Sequence, residues 1–380
     1  MTHRERVLAA LNHRQPDRVP MDLAGTFAST ITLKGYERLK EYLGIRKETI
    51  IMSRRSQVAQ PHEEVLRYFD IDTRGIQPKG PAGWADQVFP DGSYQDEWGV
   101  IRSRPPEGGH FYVSGSPFAG EPTPEDIRKH PWPDPYDPGY VQGLAEEARR
   151  LHQETDFAVV LNFPVGFVHQ SQFLRGYEEW LMDLILNPTF AEALMDRLLE
   201  IYVIIGERMI EAAGGHFDMM FYGDDVAFQG GPMMSLDLYR RIIKPRHRQL
   251  FGRLKAKARV PLIFHSCGSV YPLMEDLIEV GVDCLNPVQV SAKDMDTQRL
   301  KKEFGDRMAF WGAIDTHKVL PFGTPEDVRA EVKRRIEDLA PGGGYVLNSV
   351  HNLQSEVPPE NIVAMFEAAK EFGRYQEERR

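Results

Sequence analysis

The residues best suited to chemistry in this sequence are a histidine and a cysteine two positions apart, His265 and Cys267 in PLIFHSCGS. Alternate side chains of an extended strand share one face, so this spacing aims an imidazole and a thiol at one point, and both are ligands for a cation such as zinc. Two ligands do not make a site, and an isolated H-x-C also fits a hydrogen-bonded histidine beside an inert thiol. The other cysteine, Cys284, is the obvious third candidate. It opens the next apolar run, about five residues and so roughly 17 Å before the end of that run at Gln289, which suits a buried, inert thiol better than a ligand. His351 in YVLNSVHN is equally compatible with a ligand, a general acid and a hydrogen-bonded structural residue.

The pair Asp224-Asp225 in MMFYGDDVAFQGG offers a metal ligand, a binder for a cationic group or an acid and base. Neighbouring strand residues face opposite ways, so one of the two is expected to face a site and the other to cap the following turn. Other apolar runs also end polar, at Asp22, Gln77, Asn162, Asn286, Gln289, Asp315 and Asn348. Core packing alone favours apolar residues there, so a polar set of this kind is the lining of a small-molecule site. The expected catalytic residues are Asp22, Asp224, Asp225 and Asp315, and the expected substrate contacts are Gln77, Asn162, Gln289 and Asn348. No G-x-S-x-G elbow, H-E-x-x-H, Walker loop or paired C-x-x-C occurs. Gly342-Gly343-Gly344 precedes a strand rather than a helix and reads as a tight turn, not a phosphate cradle.

These residues need elements to hold them. Eight short apolar, β-branched or aromatic runs recur: Arg18–Gly25, Asp72–Pro78, Phe157–Pro164, Met219–Asp225, Pro261–Gly268, Cys284–Gln289, Met308–Asp315 and Tyr345–His351. Each is followed by a polar or glycine-containing turn and a segment of helical periodicity. Asn187-Pro188 starts one helix, whose stripe Phe190, Leu194, Leu198, Ile201, Ile205 and Met209 ends at Gly214-Gly215. Thr324-Pro325-Glu326-Asp327 and Pro358-Pro359-Glu360 start two more. Strands alternating with helices pair in parallel, and eight of them predict a (β/α)8 barrel with its site at the C-terminal strand ends. A doubly wound sheet would need a G-x-G-x-x-G after its first strand, where this chain has DLAGTFAST. Residues 79–122 depart from the repeat: they are rich in Gly, Pro and aromatics, and Asp91-Gly92 signals a hairpin. The expectation is one barrel domain over 1–380, with this excursion inserted after the second strand as a lid or hairpin over the mouth.

Composition narrows the classes. Of 380 residues, 42% are hydrophobic and 27% charged, which suits a chain able to bury a large core. No apolar run approaches the roughly 20 residues of a membrane span, and MTHRERVLAALNHRQPDRVP has no signal-peptide core, so a cytoplasmic location is expected. Two cysteines cannot build a disulfide framework. A net charge of -10 argues against nucleic acid as a partner. The one basic stretch, Tyr239 to Arg259, reads as a solvated helix face in preference to a docking surface.

The chain resembles the uroporphyrinogen decarboxylase superfamily, on RERVLAALNHRQPDRVP, YGDDVAFQGGPMMSLDLYRRIIKPRHRQL, HSCGSVYPLMEDLIEVGVDCLNPVQ, FWGAIDTHKVLPFGTPEDV and GGGYVLNSVHNLQSEVPPENI. The resemblance implies a (β/α)8 barrel acting either as a tetrapyrrole decarboxylase or as a zinc-dependent, corrinoid-linked methyltransferase. The decarboxylase grips its carboxylate-rich substrate with an arginine-bearing RQAGR motif, where this chain has PMDLAGTFAST, although Asn348 to His351 resembles its NLGH motif. The methyltransferase branch carries H-x-C and a distant cysteine as zinc ligands. His265 and Cys267 match the first two, and counting back from Pro358-Pro359-Glu360-Asn361-Ile362 puts His351 at the third. The resemblance thus implies Zn²⁺ on His265, Cys267 and His351, a corrinoid carried by a partner protein, a small-molecule substrate and a homodimer. Its alternatives are a cofactor-free decarboxylase in which Asp22 or another mouth carboxylate meets pyrrole nitrogens, and a barrel that binds a corrinoid or tetrapyrrole without turnover.

Overall fold

Seven of the eight expected runs are strands of one parallel sheet in the computed structural model, which describes residues 1–375. In chain order they are Thr73–Ile76, Ala158–Asn162, Met219–Gly223, Leu262–His265, Cys284–Asn286, Ala309–Ile314 and Tyr345–Ser349, each paired with the next. The register sets Gly223 beside His265 and His265 beside Asn286, so the polar ends of neighbouring strands share one level. The first run, Arg18–Gly25, departs from expectation. Pro20 has no N–H to donate, and only a short extended piece pairs. Asp22 N donates to Leu347 O at 2.9 Å, Leu347 N to Pro20 O at 2.8 Å, and Asp72 N to Met21 O at 2.9 Å. That piece ties the last strand to the first and closes the sheet into a (β/α)8 barrel.

Strand alternation divides the core. Val160, Phe221, Ile263, Cys284, Trp311 and Val346 pack together in the barrel interior, joined by Val7 and Leu11 of the N-terminal helix His3–Leu11. Val159, Met220, Phe264, Leu285, Phe310 and Leu347 face the other way, into the cluster shared with the surrounding helices. Each such side chain contributes about 1.5–3 kcal/mol by leaving water. The helices keep their expected ends. Pro188–Ala213 begins on its proline and stops at Gly214, whose φ of 61° suits glycine. Pro325–Leu339 is held by a reciprocal cap between Thr324 and Asp327, of the kind that contributes about 1 kcal/mol.

Two additions follow the ends of the first runs. Residues 79–122 form a four-stranded antiparallel sheet of Gln87–Val88, Tyr94–Gln95, Ile101–Ser103 and Tyr112–Gly115. The expected turn is present, with Gly92 at φ 83° and its N–H on Phe89 O at 2.9 Å. A smaller sheet of Ile31–Thr32, Ile50–Ser53 and Val58–Gln60 was not legible, because strands of two to four residues leave no periodicity. Phe111 N donates to Arg55 O at 2.9 Å, linking the two additions.

The basic stretch is neutralised from within the chain. Arg240 and Lys244 pair with Asp276, Arg246 with Asp196, Arg253 with Glu207 and Lys255 with Asp283. Among the described residues no helix is long and apolar enough to cross a membrane.

Candidate functional site

His265 ends the fourth strand of the sheet with its ring in the barrel, and Cys267 follows two residues on. Cys267 Sγ lies 3.7 Å from His265 Nε2. The ring of His351, just past the last strand, meets that of His265 edge-on at 5.5 Å. One donor atom from each of His265, Cys267 and His351 lies within 4.8 Å of the other two. Two ligands of one tetrahedral zinc stand about 3.3–3.8 Å apart, so the first pair already has this spacing and the third needs a small side-chain rotation.

The surroundings hold these donors in place. His265 Nδ1 lies 2.7 Å from Asn286 Oδ1; the amide oxygen accepts the Nδ1 proton and leaves the Nε2 lone pair facing the cluster. Asp225 Oδ1 accepts the Cys267 N–H at 2.7 Å, and Gln289 Oε1 accepts that of Gly268 at 2.6 Å, so two side chains fix the turn that presents the thiol. Burial lowers both imidazoles, His351 to about 4, with the neighbouring His265 adding to the effect. Burial, with Asp225 beside it, pushes the Cys267 thiol well up. The set is therefore two neutral imidazoles and a protonated thiol, which binds as thiolate only when a cation displaces its proton.

Asp224 and Asp225 divide their roles. Asp225 faces the cluster, its Oδ1 3.9 Å from His265 Nε2 and its Oδ2 3.3 Å from His169 Nε2. Burial favours the neutral acid, but His169 outweighs it and holds the Asp225 carboxyl well below the usual carboxylate range; Asp225 in turn raises His169 despite burial. Asp224 is buried and accepts from Tyr222 Oη at 2.9 Å and His169 N at 3.0 Å. It caps the first turn of the Phe167–Arg175 helix, not the turn that follows its own strand.

Three other expected contacts are used inside the fold. Asp22 accepts from Trp311 Nε1 at 2.9 Å, Gly25 N at 2.9 Å and the Thr73 hydroxyl, which latches the closing segment to two strands. Asn162 donates to Gly25 O at 3.0 Å and accepts from Phe27 N at 3.2 Å. Asp315 caps its own turn through His317 N at 2.6 Å. Loop amides and neighbouring side chains thus take both oxygens of Asp22 and the side-chain amide of Asn162, which departs from the expected contact roles of these two, and one oxygen of Asp315. Gln77 Nε2 and both amide atoms of buried Asn348 have no protein partner. Cys284 sits in the apolar barrel interior, outside the cluster.

The cleft above the cluster, about 380 Å³, is lined by Cys267, Gln289, His351, His317, Gln229 and His110 among others. Sequence reasoning missed His169 and His110. His169 lies in a helix turn past its strand end, and His110 comes from the hairpin addition, so strand-end position flags neither.

A family model described as uroporphyrinogen decarboxylase matches residues 112–372. The uroporphyrinogen decarboxylase of Alkalilimnicola ehrlichii is 27% identical over 268 residues, 67% of this chain and 68% of that one. The methylated-thiol–coenzyme M methyltransferase of Methanosarcina mazei is 24% identical over 273 residues, 70% of this chain and 65% of the relative. The chain thus spans about two thirds of the length of these relatives. A solved methyltransferase from Methanosarcina mazei superposes over 98% of this chain and 99% of its own with a TM-score of 0.66 at 19% identity, which establishes a shared fold.

Proposed function

Because the chain belongs to the uroporphyrinogen decarboxylase family, we propose that it is a zinc-dependent methyltransferase moving a methyl group between a small molecule and a corrinoid carried by a separate protein. The observation that carries this reading is the convergence of His265, Cys267 and His351, two neutral imidazoles and a thiol from two separate strand ends. Three protein ligands leave one position open, the arrangement of catalytic and not structural zinc. A zinc ion there would lower the pKa of a bound thiol or hydroxyl and so supply a nucleophile, or a better leaving group, near neutral pH.

The chain's own residues do the rest. Asn286 holds His265 in the tautomer that presents Nε2, and Asp225 with Gln289 fixes the backbone at Cys267 and Gly268. The Asp225–His169 pair places a charged, proton-sharing couple beside the cluster. The cleft bounded by His317, Gln229 and His110 has the volume for a small molecule's reacting end.

The decarboxylase alternative draws support from relatives of that name. Against it stands Asp22, whose oxygens are taken by Trp311, Gly25 and Thr73 and are not offered to pyrrole nitrogens. The test is elemental analysis of the purified chain together with two assays, methyl transfer to or from free cobalamin and coproporphyrinogen formation from uroporphyrinogen. Bound zinc with methyl transfer is the expected outcome; a zinc-free chain that makes coproporphyrinogen would replace this reading with decarboxylation.

A further inference from the structure

A second cleft, of about 310 Å³, lies between Pro78 and Pro164, just past the ends of two barrel strands, and the hairpin sheet. Three of its buried polar side chains are left over by the fold, while Asp86 and Asp96 in its lining pair with Arg54 and Arg102. Gln170, Tyr140 and Tyr202 line it and are buried, and the Gln170 Nε2 and both phenol oxygens have no hydrogen-bond partner in the protein. Arg102 in its wall is taken by Asp96 at 2.8 Å, whereas Arg55 has no ion-pair partner among the described residues. Burial, with Arg102 beside it, pulls the Arg55 guanidinium down to about 10, and the more distant Asp96 offsets only part of this. Burial and the neighbouring Asp96 push Glu97, on the same wall, up towards its protonated form. Guanidinium and amide N–H groups only donate, and phenols can donate as well, so an occupant that satisfies them presents acceptor oxygens and negative charge.

Packed side chains and shared lining residues link the cleft to the cluster. Arg55 packs on the Phe173 ring at 5.3 Å, the same ring stacks on His169 at 5.9 Å, and His169 pairs with Asp225. A larger cleft of about 680 Å³ shares Arg55 and Arg102 with this one and His110 with the cavity at Cys267. We propose that Arg55, with Gln170, Tyr140 and Tyr202, anchors an oxyanion, carboxylate or sulfonate, at one end of the small molecule whose other end reacts at His265, Cys267 and His351. This rests on reading that cluster as the reaction centre. It gives the chain an anionic substrate, gripped by an arginine outside the N-terminal segment that lacks one.

Isothermal titration of the full chain with benzoate, benzenesulfonate and benzyl alcohol tests it, on zinc-loaded and on chelator-treated protein. The aryl group suits a wall that includes Trp98. At least one anion should bind about tenfold or more tighter than the alcohol, with or without zinc, and the tighter of the two identifies carboxylate or sulfonate. Arg55→Gln should weaken that anion about tenfold or more, Arg55→Lys should recover part of the loss, and Tyr202→Phe, which keeps the ring, should weaken it a few-fold. Equal binding of the alcohol, or an anion affinity unchanged in both Arg55→Gln and Tyr202→Phe, overturns the proposal. Zinc binding without anion preference sinks the anchor alone; anion preference in a chain that never takes zinc sinks the reading of the cluster alone.

Discussion

At the N-terminal end of the barrel the fully buried carboxylate of Asp72 accepts from Arg6 at 2.6 Å, Arg18 at 2.7 Å, the Met21 N–H at 2.7 Å and, with the Nδ1 proton present, His3 at 2.8 Å. At the C-terminal end Asn348, just as buried, has no partner for its nitrogen or its oxygen, the Asn286 nitrogen is free, and the donors of His265, Cys267 and His351 face one another. The first end has matched its buried carboxylate within the chain, and the second, although Asp22, Asn162 and Asp224 are bonded there, keeps Asn348 and the Asn286 nitrogen unmatched. Satisfied networks rigidify a fold, whereas unmatched buried groups are the capacity a ligand can use, and in (β/α)8 enzymes the two fall on opposite faces.

The sharpest separation should come from the cluster. Cys267→Ser and His351→Ala should each bring zinc content to background by elemental analysis and abolish methyl transfer, while the thermal midpoint of the metal-free chain stays within a few degrees of wild type. Zinc retained in full by both variants would break the comparison at its functional end. Asp72→Asn should do the converse: it takes the buried charge away from Arg6 and Arg18, which keep only Asp17 and Asp70 at the surface, and should cost about 1.5–3 kcal/mol in urea denaturation, with zinc affinity unchanged. Asn286→Ala, which releases the His265 ring, should weaken zinc about 10- to 100-fold with little change in folding.

Acid should expose the base of the barrel as well. Burial favours the neutral form of Asp72, but His3, Arg18 and Arg6 more than offset it and hold the carboxyl below its usual range. Stability from a lowered carboxylate is fully present above the unfolded value of about 3.9 and is lost as pH falls through the folded one. Urea midpoints measured down from pH 5 should therefore fall for wild type and fall less for Asp72→Asn; parallel curves would remove Asp72 as the acid-labile group. The smallest effect belongs to Cys284→Ala, which trims an apolar interior by one sulfur and should cost about 1–2 kcal/mol with zinc binding untouched.

Much of this layout is legible residue by residue. The apolar run at Met219–Asp225 and the proline-led helix after Asn187 could be placed because hydrophobic period and capping are local properties. The place of Cys284 at the start of its run already removed that thiol from the mouth, although the strand itself ends at Asn286 and Gln289 lies beyond it. Arg18–Gly25 has the composition of a strand but pairs with the barrel strands only around Pro20 to Asp22, because proline withholds the donor a ladder needs.

What the sequence by itself determined is the two-residue spacing that keeps His265, at its strand end, close to Cys267 on the turn that follows, and the polar character of the strand ends. Only the tertiary structure decided which of those polar ends stay open. Asp22, Asn162 and Asp315 have the right type in the right place, yet Gly25, Phe27 and His317 offer N–H groups that bind their oxygens. His351 joins His265 across the barrel, and His169 and Arg55 enter from a helix turn and an added sheet. The physical reason is range: periodicity and capping act within a few residues, whereas donor–acceptor matching in the mouth depends on groups brought together from distant parts of the chain when the barrel closes.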